Sequence, residues 1–166
     1  MEEPAYVKWV SRENLHITLK FLGDVDKKEV PAINREAEKV AAQISPFELT
    51  IDKLSGFPNP GFPKVIWLGS NSPPDEIFQL QENLESRLEN LGFEKENRDY
   101  VPHITLGRTK DENEAKIEQL GSELKSHRLD TNWTVSIDQV TLMKSTLKSS
   151  GPVYDPLVQL NLGNSS

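Results

Sequence analysis

Apolar and polar residues alternate along several short stretches of the chain and recur at helical spacing in three others. Leu15-His16-Ile17-Thr18-Leu19-Lys20-Phe21 places Leu15, Ile17, Leu19 and Phe21 on one side and His16, Thr18 and Lys20 on the other, the period of a half-buried strand. The extended pattern covers residues 6–22. A helix is predicted over 27–43: Pro31 suits a first turn, and Val30, Ile33, Ala37, Val40, Ala41 and Ile44 recur on one face. Residues 47–54 alternate again as a strand. Ser55-Gly56-Phe57-Pro58-Asn59-Pro60-Gly61-Phe62-Pro63 concentrates turn formers and is expected to be a loop. A short apolar strand follows over 65–68. Pro73-Pro74-Asp75 then opens a helix whose Ile77, Leu80, Leu84, Leu88 and Leu91 form a continuous stripe stopped at Gly92. Strands over 101–108, 133–144 and 154–162, with a third helix over 112–124, complete the pattern. Strands outnumber helices and come in pairs between them, which predicts an α+β fold with largely antiparallel sheets.

At 166 residues the chain suits one domain spanning 1–166 with a buried core. The absence of cysteine removes disulfides, thiolate metal sites and a thiol nucleophile, leaving oxygen and nitrogen groups for any catalysis. A net charge of −7 argues against extended binding along nucleic acid and leaves room for a local basic pocket. No apolar run approaches membrane-spanning length, and Glu2, Glu3, Lys8, Arg12 and Glu13 interrupt any signal core, so a cytoplasmic protein is expected. Without export, the glycosylation patterns at Asn132-Trp133-Thr134 and Asn164-Ser165-Ser166 carry no weight.

His-Ile-Thr-Leu occurs twice, at 16–19 and 103–106, and uses two of the three histidines. In a strand, residues two apart share a face, so each His stands beside its Thr while the intervening Ile turns to the core. Imidazole titrates near neutrality; one neutral ring can take a proton from water while a second, protonated ring delivers one to a leaving oxygen. Threonine hydroxyls and backbone amides can hold phosphoryl oxygens. A zinc site needs a third protein ligand, and neither motif has a His or carboxylate at ligand spacing, so neither metal nor cofactor is expected.

The pair of motifs, the first continuing as Lys20-Phe21-Leu22-Gly23 and the second framed as Val101-Pro102-His103-Ile104-Thr105-Leu106-Gly107-Arg108, resembles the two-histidine (2H) phosphoesterase superfamily. Within it the chain is most similar to the RNA 2′,3′-cyclic phosphodiesterases, first described as 2′-5′ RNA ligases. Val7-Lys8-Trp9-Val10, Ser55-Gly56-Phe57-Pro58, Val140-Thr141-Leu142-Met143-Lys144-Ser145 and Gly151-Pro152-Val153-Tyr154 extend the likeness. The resemblance implies a bilobal fold whose two antiparallel sheets face a central cleft with helices outside. It further implies metal-independent opening of a 2′,3′-cyclic phosphate at an RNA end to a 2′-phosphate, and reverse joining to a 2′-5′ linkage. His103 would then accept a proton and His16 donate one; Thr18 and Thr105 would hold the phosphate. Other 2H activities, on ADP-ribose 1″,2″-cyclic phosphate, small nuclear RNA tails or 2′-5′ oligoadenylate, and a purely binding role stay open.

Arg108 and Lys20 are further candidates for binding substrate. Phe57, Phe62 and Tyr100 are open to base stacking or to packing. His127 reads as surface, and the acidic Asp111-Glu112-Asn113-Glu114 as a first helical turn. Family members begin with a strand of the Arg-x-Phe-φ-Ala type and a helix before the Val-Lys-Trp-Val region, whereas this sequence reaches that region directly after Met1-Glu2-Glu3-Pro4-Ala5-Tyr6. The expected consequences are an unpaired sheet edge and an uncovered apolar face. A monomer is expected, with a dimer open through that edge.

Overall fold

A computed structural model of the chain describes residues 4–163; Met1-Glu2-Glu3 and the Asn164-Ser165-Ser166 pattern lie outside the described residues. The elements run β1 (Val7–Trp9), α1 (Val30–Gln43), β2 (Phe47–Ile51), β3 (Lys53–Asn59), β4 (Phe62–Gly69), α2 (Asp75–Glu89), β5 (His103–Thr109), α3 (Glu114–Ser126), β6 (Trp133–Ile137), β7 (Gln139–Lys148) and β8 (Gly151–Asn161). Among the described residues the fold is α+β with three α-helices and antiparallel sheets, as the periodicities predict. Two compact units share the chain. One takes the stretch ending at Thr18 together with Thr50–Pro73 and Pro102–Val135; the other takes Leu19–Leu49, Pro74–Val101 and the stretch from Ser136.

The first unit is built on a four-stranded sheet of order β1-β5-β4-β3. The Pro/Gly-rich segment expected as a loop is a β-hairpin instead, β3 turning into β4. Prolines survive there because β3 is an edge strand and because the register shifts between Phe57 and Pro58, where ladder donors are not required. The Asn59 carboxamide oxygen accepts the Gly61 and Phe62 N–H groups at 2.9 and 3.0 Å and closes the turn. Helix α3 packs on β3 and β4, burying Ile117 and Leu124. A Cβ at Gly121 would lie 2.1 Å from the Gly61 carbonyl oxygen, so helix and turn meet backbone to backbone.

Helix α3 starts two residues later than predicted. Asn113 is its N-cap, accepting the Lys116 N–H at 3.2 Å, while Asp111 lies outside the helix and accepts the N–H groups of Asn113 at 3.0 Å and Tyr6 at 3.3 Å.

In the second unit α1 packs on α2 and on β8, burying Ile33, Val40, Ala41 and Ile44 with Ile77, Leu80, Leu84 and Leu88. Each of these valine, leucine and isoleucine side chains contributes roughly 1.5–3 kcal/mol relative to exposure. Asp26 and Glu29 form a capping box just before α1. Helix α2 ends in a Schellman stop: Phe93 N–H bonds the Leu88 carbonyl and Gly92 N–H the Glu89 carbonyl, and Gly92 supplies the φ of +97° that a side chain would oppose. The predicted strand over 133–144 is two strands, β6 and β7, the second paired with β8. They are divided at Asp138, whose carbonyl accepts Leu162 N–H at 2.8 Å.

The continuous strand expected over 6–22 is also corrected. Only Val7–Trp9 pairs regularly with β5; the chain then turns through a 3-10 helix at Arg12–Asn14 and returns for a single antiparallel bridge, Ile17 to Ile104.

Candidate active site

That bridge organises the motif residues. Because Ile17 opposes Ile104 in antiparallel sense, one step along each segment sets His16 across from Thr105 and Thr18 across from His103. The isoleucines turn to the other face, so both His-x-Thr pairs share one. Opposed Cβ atoms in such a ladder are about 4.5–5.5 Å apart, and the His16–His103 diagonal about 7–8 Å. Each histidine therefore stands across from the threonine of the other motif. His16 Nδ1 donates to the Asn14 carbonyl, which orients the ring on its segment.

Arg108 reaches the same face through a bulge. It lies three residues beyond Thr105, a spacing that simple alternation would turn to the opposite side. Trp67 pairs with Thr105 but Ile66 pairs with Gly107, so Leu106 is the extra residue and the phase is reset. Arg108 then opposes Val65 on β4 and Lys8 on β1. The Leu106 carbonyl is taken by Val10 N–H at 2.7 Å, which holds the bulge against the edge.

The register also brings Lys53, Ser55 and Phe57 of β3 and Trp67 of β4 to this face. Phe57 stacks on Trp67 at 4.9 Å between centroids and meets the His103 ring edge-on at 4.9 Å; Trp67 stands 5.8 Å from His103. Strands β1, β3, β4 and β5 contain no Asp or Glu, against Lys8, Lys53, Lys64 and Arg108. In a chain of net charge −7 this sheet is a local basic surface, suited to an anionic ligand.

Lys20 is held elsewhere. In the second unit its ammonium donates to Glu85 Oε2 at 2.8 Å and to the Glu94 carbonyl at 2.8 Å, and Gln81 supports the other Glu85 oxygen at 3.3 Å. With 4% of the Lys20 side chain and 8% of Glu85 exposed, this charge is matched inside the protein rather than offered to a phosphate. Tyr100 is half-buried in the second unit beside Phe78, and its partial burial pushes its hydroxyl well above the usual phenol range. Phe62 lies under the Lys64 ammonium, and His127 is the exposed C-cap of α3. Sequence reading missed Trp67 as a neighbour of His103 and Lys53 as a neighbour of Trp67: their placement rests on cross-strand register, which no local pattern shows.

Two facing His-x-Thr pairs on an acid-free sheet match the class of two-histidine phosphoesterases. The profile of the 2′-5′ RNA ligase superfamily matches residues 3–148, and the chain belongs to that family. The chain is 38% identical over 151 residues to an RNA 2′,3′-cyclic phosphodiesterase of Methanothermobacter thermautotrophicus, covering 90% of this chain and 79% of the relative. It is 32% identical to the RNA 2′,3′-cyclic phosphodiesterase of Escherichia coli, covering 89% and 76% respectively. Its fold is similar to the crystal structure of E. coli LigT complexed with 3′-AMP, with a TM-score of 0.78 and 28% identity, covering 97% of this chain and 84% of that one. Among the described residues no helix is long and apolar enough to cross a membrane.

Proposed function

We infer that the chain hydrolyses the 2′,3′-cyclic phosphate at an RNA end to a 2′-phosphate without a metal ion. The observation that carries this is the Ile17–Ile104 bridge, which sets two titratable rings and two hydroxyls on one basic face. In this reading water attacks phosphorus, His103 takes the water proton, the bond from phosphorus to O3′ breaks, and His16 gives its proton to O3′. The phosphate stays on O2′. Thr18, Thr105 and Arg108 hold the phosphoryl oxygens as charge builds on them. A 5′-hydroxyl in place of water gives a 2′-5′ linkage by the same proton exchange. Names of relatives support the substrate class, and the LigT crystals with 3′-AMP and with phosphate support a nucleotide-end ligand.

The test is incubation, with EDTA present, with an oligoribonucleotide ending in 2′,3′-cyclic phosphate, resolving 2′- from 3′-phosphate by phosphorus NMR. A 2′-phosphate product, reduced at least about a hundredfold in both His16→Ala and His103→Ala, is expected. A 3′-phosphate product, or unchanged turnover in either variant, would sink the assignment.

A further inference from the structure

Gly69 opposes His103 across the β4–β5 ladder, and its missing side chain leaves a gap beside the imidazole. The Trp67 indole fills it. A Cβ on Gly69 would come within 2.6 Å of Trp67 Cζ3 and 3.1 Å of Cε3, so the six-membered ring lies over the glycine and against His103. Phe57 closes the arrangement, stacked on Trp67 and perpendicular to His103, each at 4.9 Å. On the indole, Lys53 Nζ stands 5.7 Å from the ring.

Trp67 is 4% exposed and its Nε1–H has no hydrogen-bond partner among the described residues. Such an orphaned donor is destabilising, a cost that phenylalanine would avoid. What the indole supplies is breadth: one flat surface reaches both Phe57 and His103.

We propose that Trp67, laid over Gly69 and backed by Phe57, is a positioning residue that fixes the His103 imidazole for proton transfer. The proposal rests on the reading of His103 as proton acceptor. Two aromatic surfaces in contact restrict how the imidazole can turn about its side-chain bonds, and proton transfer depends on aim more than on binding strength.

The experiment compares Trp67→Leu, Trp67→Phe, Gly69→Ala and Phe57→Leu with the unaltered chain. It reads kcat and KM on the cyclic-phosphate oligoribonucleotide, and the His103 ring resonances in protein labelled at histidine. Phe57 is only half-buried, so Phe57→Leu keeps the test open if Trp67→Leu or Gly69→Ala, whose added Cβ must displace the buried indole, fails to fold. Expected are kcat losses of about 10- to 100-fold in Trp67→Leu, Gly69→Ala and Phe57→Leu with KM within about threefold, and partial rescue in Trp67→Phe. His103 resonances should move as the ring currents of Trp67 and Phe57 are withdrawn or displaced. Folded Gly69→Ala and Phe57→Leu with kcat unchanged, or with only KM altered, would overturn the proposal, as would unmoved His103 resonances. If the unaltered chain turns over nothing, the functional reading fails, while the resonances still decide whether the aromatics set the ring.

Discussion

Lys20 and Glu85 stand 2.8 Å apart with little solvent on either side chain, so removing one partner strands the other charge. Lys20→Met is expected to lower unfolding free energy by roughly 3–5 kcal/mol in urea titration, and Lys20→Met/Glu85→Leu to recover most of it. A stable Lys20→Met with a raised KM would instead place the ammonium on substrate. Arg108 carries the contrasting expectation: Arg108→Ala should raise KM or lower kcat while leaving the urea midpoint near its original value. At this scale the sequence was informative about His16, Thr18, His103 and Thr105, because alternation within one segment decides which residues share a face. It misplaced Lys20, which alternation sets beside His16 and Thr18 but whose partner lies sixty-five residues away on a helix face, and it was silent about Trp67, whose neighbour is set by register.

Among elements, α3 and the β3–β4 turn approach too closely for any side chain at Gly121. Gly121→Ala should therefore destabilise by roughly 1–3 kcal/mol or more, measurable as a lower thermal midpoint, despite the better helix propensity of alanine. The N–H groups of Asn113 and Tyr6 hold the Asp111 carboxyl below its ordinary value of 3.8. A depressed carboxylate stabilises the fold above its unfolded value and loses that contribution as pH falls through the folded one. The stability advantage over Asp111→Asn should thus be full near pH 6 and shrink below about pH 3.8. The long helices were legible from their apolar stripes, and the stop at Gly92 from its residue type. The β3–β4 hairpin was not, because proline and glycine forbid a central strand and say little about an edge strand with a bulge. The bulge at Leu106 was equally hidden, since two-versus-one pairing is a property of both strands.

For the whole molecule, the opposed signs of net charge and sheet surface limit how an RNA strand is held. A total of −7 resists wrapping, while the acid-free sheet favours a phosphorylated end. The salt dependence of KM should then be shallow, well short of a log–log slope of about 4 expected for six contacts to a single strand. A slope that steep would show a long backbone footprint.

Each compact unit draws on three separated stretches, and β5, between β1 and β4, is the last strand of its sheet to be made. During translation the first motif leaves the ribosome early, yet β1 and Ile17 have nothing to pair with until 103–109 emerge. The second unit still waits for β7 and β8 at that moment. A message broken before β5 therefore yields a chain holding one histidine of the pair and no face to set it on. Competence therefore arrives late in synthesis, only once β5 has emerged to pair with what precedes it.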